Sequence, residues 1–234
     1  MNNSMDWIVV LLVIGVIVFW LIWKGKRANE VEWDSPTINV IDGWMRIYCR
    51  KFHRLQSDPL ELPENGGVLV VCNHVSGLEP LIKLTACKRP IRYLVATEDY
   101  HTPVIHSLLK GVGCIPVDRS GKPEVAFRAA IRALKEGEAI GIYPHGGFCL
   151  DDQQKAIKGG VLRLAKLTGA RIIPTRVTGI RRPGNSYIPM FLRGNVRLQV
   201  FPTLDEDFPE RSDAKQQLGD LLLGKIPAIE KASD

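Results

Sequence analysis

Val68 to Pro80 reads VLVVCNHVSGLEP. Five apolar residues run directly into an amide, an imidazole, a hydroxyl and a carboxylate. A short unbroken apolar run closed by turn formers marks a strand buried on both faces, as in a parallel sheet. Ser76 and Gly77 form turns, and Pro80 disfavours helical backbone at Glu79. The stretch therefore predicts a strand that ends in a tight strand-to-helix turn. On one continuous helix His74 and Glu79 would point apart, because five residues advance roughly 140° past a full turn. A tight turn instead brings the carboxylate back to the imidazole. A carboxylate on one ring nitrogen fixes the tautomer and leaves the other nitrogen free as a base. The competing reading is a helix-capping loop around a satisfied histidine.

Outward from this strand the pattern repeats. Strand-like runs occur at 68–72, 91–96, 114–117, 139–143, 171–177 and 196–201. Helical stretches fall at about 79–88, 103–110, 123–136 and 156–168, and one at about 211–224 ends the domain. Strands alternating with helices predict an α/β domain with a largely parallel sheet. The last two strands have no helical pattern between them, so a mixed sheet is allowed. Ligands of such sheets bind beyond the carboxyl ends of the strands, which is where His74 falls.

The amino-terminal segment is of another kind. Trp7 to Trp23 carries no charge, and Lys24, Lys26 and Arg27 follow it at once. As a helix it is about 26 Å long, near the thickness of a bilayer core. Residues 1–23 read as an uncleaved transmembrane anchor, with the body of the protein on the cytoplasmic side of the cell membrane by the positive-inside rule. A cleaved signal peptide or a buried core helix are the rival readings. A signal peptide would place its basic residues before the apolar run and a small-residue cleavage site after it.

Residues 24–36 read as a polar linker. Over 37–56, Ile41, Trp44, Met45, Tyr48, Phe52 and Leu55 recur at helical spacing, with Arg46, Arg50, Lys51 and Arg54 between them. Such an amphipathic helix lies in the membrane interface, or packs on its own domain with the basic face in solvent. The net charge of +6 suits nucleic acid or an anionic membrane surface; the second fits an anchored chain, so no nucleic-acid partner is expected. Five widely spaced cysteines, none in a C-x-x-C pair, read as reduced, mostly buried thiols.

The chain has no G-x-S-x-G elbow for a serine hydrolase and no H-E-x-x-H, C-x-x-C or EF-hand spacing for a metal. It also lacks a complete dinucleotide or P-loop fingerprint. Without a protein nucleophile, a His–Glu pair is best placed to activate a hydroxyl of the substrate.

Asn73–Pro80 resembles the first motif of the glycerolipid acyltransferases, N-H-x-S-x-x-D, whose type member is lysophosphatidic acid acyltransferase. Further matches follow in family order. GCIPVDRSG (113–121) resembles the second motif and ends its pattern at Arg119. AIGIYPHGG (139–147) falls where F-P-E-G-T-R is expected. IKGGVLRLA (157–165) resembles the Lys-Gly stretch after it, and RIIPTRVTG (171–179) resembles the fourth motif.

The resemblance implies an acyltransferase domain over 57–234 and acyl transfer from acyl-CoA or acyl carrier protein to the hydroxyl of a lysophospholipid, with membrane lipids as partners. It implies no cofactor and no metal. By motif position His74 and Glu79 are the catalytic pair, and Asn73, Arg119, His145, Gly146 and Lys158 the substrate-binding residues.

Two departures stand out. Glu79 replaces the usual Asp. In the third motif His145 takes the Glu position, Gly147 the Thr and Phe148 the Arg. An acceptor site that loses an Arg and gains a Phe should favour a less anionic head group. A lipid-binding scaffold that has lost activity, and a hydrolase of acyl thioesters or lipids, are the alternatives.

Overall fold

The computed structural model describes residues 3–118, 121, 123–150, 153 and 155–225. Seven strands form one sheet in the order β1-β7-β6-β2-β5-β3-β4. They are β1 (Gln56–Ser57), β2 (Val68–Cys72), β3 (Ile91–Ala96), β4 (Ile115–Val117), β5 (Ala139–Ile142), β6 (Arg171–Thr178) and β7 (Arg197–Val200). All neighbouring pairs are parallel except β6 with β7. The sheet is thus mixed at the hairpin where the sequence left that open.

The helices are α1 (Asn3–Ala28), α2 (Pro36–Lys51), α3 (Glu79–Ala86), α4 (Thr97–Tyr100), α5 (Pro103–Gly111), α6 (Pro123–Lys135), α7 (Gly160–Thr168), α8 (Ile188–Phe191) and α9 (Ala214–Leu223). β2 sits at the centre, and all five of its residues are buried. Its odd-numbered side chains join a core with α6, α7 and α9, through residues such as Leu134, Leu164 and Leu218. Val68 and Val70 face the other way, towards Tyr93, Ile91 and Cys114. Burial on both faces is what an uninterrupted apolar strand requires.

The amino-terminal elements depart from the expected boundaries. α1 runs to Ala28, into the stretch expected to be linker, and α2 begins at Pro36 and ends at Lys51. Ser35 caps α2 through its side chain, and Pro36 stands in the first turn, where its missing N–H costs nothing. The Trp7–Ala28 part of α1 has the length and mean hydropathy, 2.6, to cross a membrane, and only 6% of it is buried.

α1 and α2 approach closely at Gly25 and Gly43, where a β-carbon on Gly43 would lie 1.8 Å from the Gly25 carbonyl oxygen. Trp44 donates from its indole to the Leu21 carbonyl, and Lys24 lies 4.6 Å from the Trp20 ring.

The face of α2 turned to the domain is not the apolar one. Asp42, Arg46 and Cys49 are buried there, while Gly43 is buried against α1. Arg46 pairs with Asp42 at 2.6 Å and Glu30 at 3.2 Å, and donates to the carbonyls of Thr85 and Cys87. The expectation that Arg46 belongs to a solvated or lipid-facing basic face is therefore corrected. Trp44, Met45, Tyr48 and Phe52 are left half-exposed.

Candidate active site

β2 and β5 are neighbours in register, Val71 opposite Ile142. The residues that follow them, Asn73–His74 and Tyr143–His145, therefore leave the sheet side by side. Asn73 is 1% exposed. Its amide nitrogen donates to the Val177 carbonyl at 2.9 Å, and its oxygen accepts the Val177 N–H at 2.8 Å. Expected among the substrate-binding residues, Asn73 instead spends both amide functions on β6 and fastens the exit of β2.

Glu79 is fully buried in the first turn of α3, which starts at the residue that Pro80 was expected to hold out of the helix. Its carboxylate accepts the N–H groups of Val75 at 2.5 Å and Ser76 at 2.6 Å, and the Ser76 hydroxyl at 3.1 Å. The Ser76 oxygen accepts the Leu78 N–H in turn, at 3.0 Å. Buried backbone donors in a tight turn need partners, and an ionised carboxylate is the strongest acceptor a side chain offers.

His74 Nδ1 lies 3.8 Å from Glu79 Oε2. That is too long for a hydrogen bond, and Nδ1 has no such partner among the described residues. The bond expected to fix the His74 tautomer is therefore not formed, and among the described residues the histidine is not satisfied as the capping-loop reading required. The carboxylate closes the turn and lies beside the ring.

Aromatic rings hold the imidazole. Tyr143 stacks on it with centroids 4.0 Å apart and planes 20° apart, and Phe148 lies at 4.6 Å. Phe148, at the family's arginine position, thus packs against the candidate base. Two backbone bonds tie the turn to other segments: Cys149 N–H donates to the His74 carbonyl at 2.7 Å, and Gly184 N–H to the Val75 carbonyl at 2.6 Å. Gly77 admits the segment after β6, since a β-carbon there would meet the Ser186 carbonyl oxygen at 2.4 Å.

Lys83 is the residue that sequence reasoning missed. It lies one helical turn after Glu79 and is fully buried. Its ammonium lies 4.0 Å from the Tyr143 ring centroid and 5.1 Å from that of Tyr93, with no hydrogen-bond partner among the described residues. Burial pushes its pKa down, partly opposed by the Cys72 thiol and the Glu79 carboxylate. The only local signal was a lysine on the apolar side of a short helix, four residues after the acid.

The Tyr143 hydroxyl is also buried without a partner among the described residues. Burial, with Tyr93 and Glu79 nearby, raises its pKa well above the usual phenol value.

His145 is fully buried, and both ring nitrogens lack partners among the described residues. Burial lowers its pKa, and the charges of Lys155 and His74 lower it further. Expected to bind substrate, it presents no surface to a ligand in this structure. Gly146 has φ +71°, a left-handed turn that glycine adopts without strain, and Lys158 folds over it. Lys158 is exposed, and its N–H donates to the Pro144 carbonyl at 2.8 Å. Arg119 lies outside the described residues.

A partly exposed histidine beside a buried carboxylate and framed by aromatic rings is an arrangement able to deprotonate a substrate hydroxyl without a protein nucleophile. The model of the acyltransferase family matches residues 54–178, and the chain belongs to that family.

Among its relatives, the 1-acyl-sn-glycerol-3-phosphate acyltransferase of Bacillus subtilis (strain 168) is 30% identical over 141 residues, 59% of this chain and 67% of that protein. The enzyme of the same name from Borreliella burgdorferi is 28% identical over 149 residues, 62% of this chain and 58% of that protein. A chloroplastic one from Arabidopsis thaliana is 25% identical over 164 residues, and this chain spans 45% of its length. The crystal structure of the 1-acyl-sn-glycerophosphate acyltransferase PlsC from Thermotoga maritima shares the fold, with a TM-score of 0.64 and 14% identity over 84% of this chain and 83% of that one.

Proposed function

We propose that this acyltransferase moves a fatty acyl group from acyl-CoA or acyl carrier protein to the free hydroxyl of a lysophospholipid, lysophosphatidic acid or a related acceptor, in phospholipid biosynthesis or remodelling. The observation that carries the reading is the His74 imidazole, 17% exposed and backed by the wholly buried Glu79 carboxylate, in a chain whose relatives bear that enzyme name. In this reading His74 takes the acceptor's hydroxyl proton as the oxygen attacks the thioester carbon. The tetrahedral intermediate collapses, the C–S bond breaks, and the thiolate leaves with the proton from the imidazolium. Glu79 faces the positive ring at the moment it forms. Arg119 and Lys158 are assigned to anionic groups of the substrates. α1 is assigned as a single-pass anchor in the cell membrane, with Lys24, Lys26 and Arg27 on the cytoplasmic side together with the domain.

Phe148 supports a second reading of the acceptor. With a phenyl ring 4.6 Å from the His74 ring, where the family pattern has a guanidinium, an acceptor with a zwitterionic or uncharged head group is better matched than a phosphate monoester. Purified protein in detergent, given labelled acyl-CoA, decides between them. Lysophosphatidic acid outperforming lysophosphatidylcholine and lysophosphatidylethanolamine supports the first, and the reverse order supports the second. Binding of all three with transfer to none would favour a scaffold.

A further inference from the structure

The connection from β6 to β7 carries a feature that acyl transfer leaves unused. It opens a concavity of about 550 Å³ lined by Arg54, Arg181, Arg193, Gly179, Gly194 and Asn195. Three guanidiniums share it. None of them is ion-paired among the described residues, and Arg54 is held by a donated bond to the Asn195 side-chain oxygen at 3.3 Å. Arginines gathered without counter-charge repel one another, and a phosphate, which guanidinium forks bind bidentately, relieves that repulsion.

Two residues before Arg193 the same connection ends α8, where Ile188 and Phe191 are 43% and 80% exposed, with Tyr187 just ahead of it at 51%. Phe191 exceeds every described large apolar side chain of α1, the highest there being Phe19 at 71%. An apolar tip with a basic rim matches the boundary between acyl chains and anionic head groups.

The connection is tied to both ends of the machinery. Tyr48 of α2 donates from its hydroxyl to the Met190 carbonyl, and α2 packs on α1. Ser76 forms an isolated bridge with Asn185, next to the Gly184 bond to Val75.

We propose that the basin of Arg54, Arg181 and Arg193 takes the phosphate of an anionic phospholipid, while Ile188 and Phe191 enter the acyl layer beside it. The domain then has a second bilayer contact, set directly against the turn that carries His74. This rests on the reading of α1 as a membrane anchor and not on the reaction proposed above.

The test uses the full chain in nanodiscs of phosphatidylcholine, with and without phosphatidylglycerol, and reads backbone hydrogen exchange with no turnover. Amides of Gly184–Asn195 are expected to exchange about tenfold more slowly in the anionic discs. The R54Q/R181Q/R193Q variant should lose that difference while β2 and β6 stay protected. F191S, which leaves the basin intact, should weaken protection in both discs. Equal exchange in the two discs, or slowing that survives the triple variant, overturns the proposal. If inorganic phosphate or acyl-CoA slows the same amides on phosphatidylcholine discs alone, the basin is a site for soluble phosphates and the bilayer assignment falls.

Discussion

Substitution of Glu79 by Gln separates the two tasks of the buried carboxylate. The Gln oxygen can still accept the N–H groups of Val75 and Ser76, and its amide can donate to the Ser76 hydroxyl, so the turn should persist. What is lost is the charge 3.8 Å from His74 Nδ1. At an effective dielectric constant of about 20, opposite unit charges at that distance attract by about 4 kcal/mol. That interaction exists only while the imidazole is protonated, as in the transition state of hydroxyl deprotonation, so it acts on kcat more than on KM. At about 1.4 kcal/mol per tenfold, the ceiling is about a thousandfold, and a loss of about a hundredfold to a thousandfold in kcat is expected.

Glu79→Ala provides the contrast. It strands two buried N–H groups, each costing about 1–3 kcal/mol, and should lower the melting temperature where Glu79→Gln barely moves it. The assay is initial-rate acyl transfer by purified protein in detergent, paired with thermal unfolding followed by circular dichroism. Wild-type kcat in Glu79→Gln would refute the electrostatic role. Melting of Glu79→Gln as low as that of Glu79→Ala would show that any activity loss is loss of the turn.

Lys83→Met tests the buried ammonium. The side chain is fully enclosed, with no hydrogen-bond partner among the described residues and a depressed pKa, so its charged form works against folding. Methionine should raise the melting temperature at neutral pH. The gain should shrink as pH rises from the depressed folded value to the ordinary lysine value, above which neither the folded nor the unfolded wild-type chain carries the charge. The same change should cut kcat by about tenfold if the charge serves the site beneath Tyr143, and unchanged kcat would make Lys83 a cost without a function.

His145 predicts an acid limb of stability. Its pKa is lowered in the folded state, so between the unfolded value of about 6.5 and the depressed folded value the unfolded chain binds more protons. Stability is then complete above that window and falls as pH drops through it. His145→Gln should flatten this limb in melting curves taken from neutral to mildly acidic pH. His53, also lowered by burial, should leave a residual slope, and an unaltered limb in His145→Gln would contradict the assignment.

What could be read in the sequence was the part set by local pattern. β2 is a run of five buried apolar residues, and its neighbours are apolar runs between helical periods, so the α/β layering followed. The turn after β2 was legible because Ser76 and Gly77 are turn formers, although Pro80 stands in the first turn of α3 and does not delay the helix.

What could not be read depends on contacts distant in the chain. Arg46 looked like a surface residue, yet carbonyls about forty residues away and Glu30 satisfy it inside the domain. By motif position Asn73 groups with the substrate-binding residues and a bond within its own turn is expected of it, yet its partner is Val177, 104 residues on. Tyr143 and Phe148 frame His74 only because β5 lies beside β2. β1 has two residues and takes its definition from pairing with β7, so no periodicity announces it.

Acyl transfer as proposed turns on the His74 imidazole taking the proton from an acceptor hydroxyl. The most direct measurement is single-turnover transfer of labelled acyl groups from acyl-CoA to a lysophospholipid by His74→Ala, with melting temperature and lysolipid affinity recorded on the same preparation. Native-like folding and binding with transfer reduced to background are expected, whereas transfer at the wild-type rate would mean that another group takes the proton.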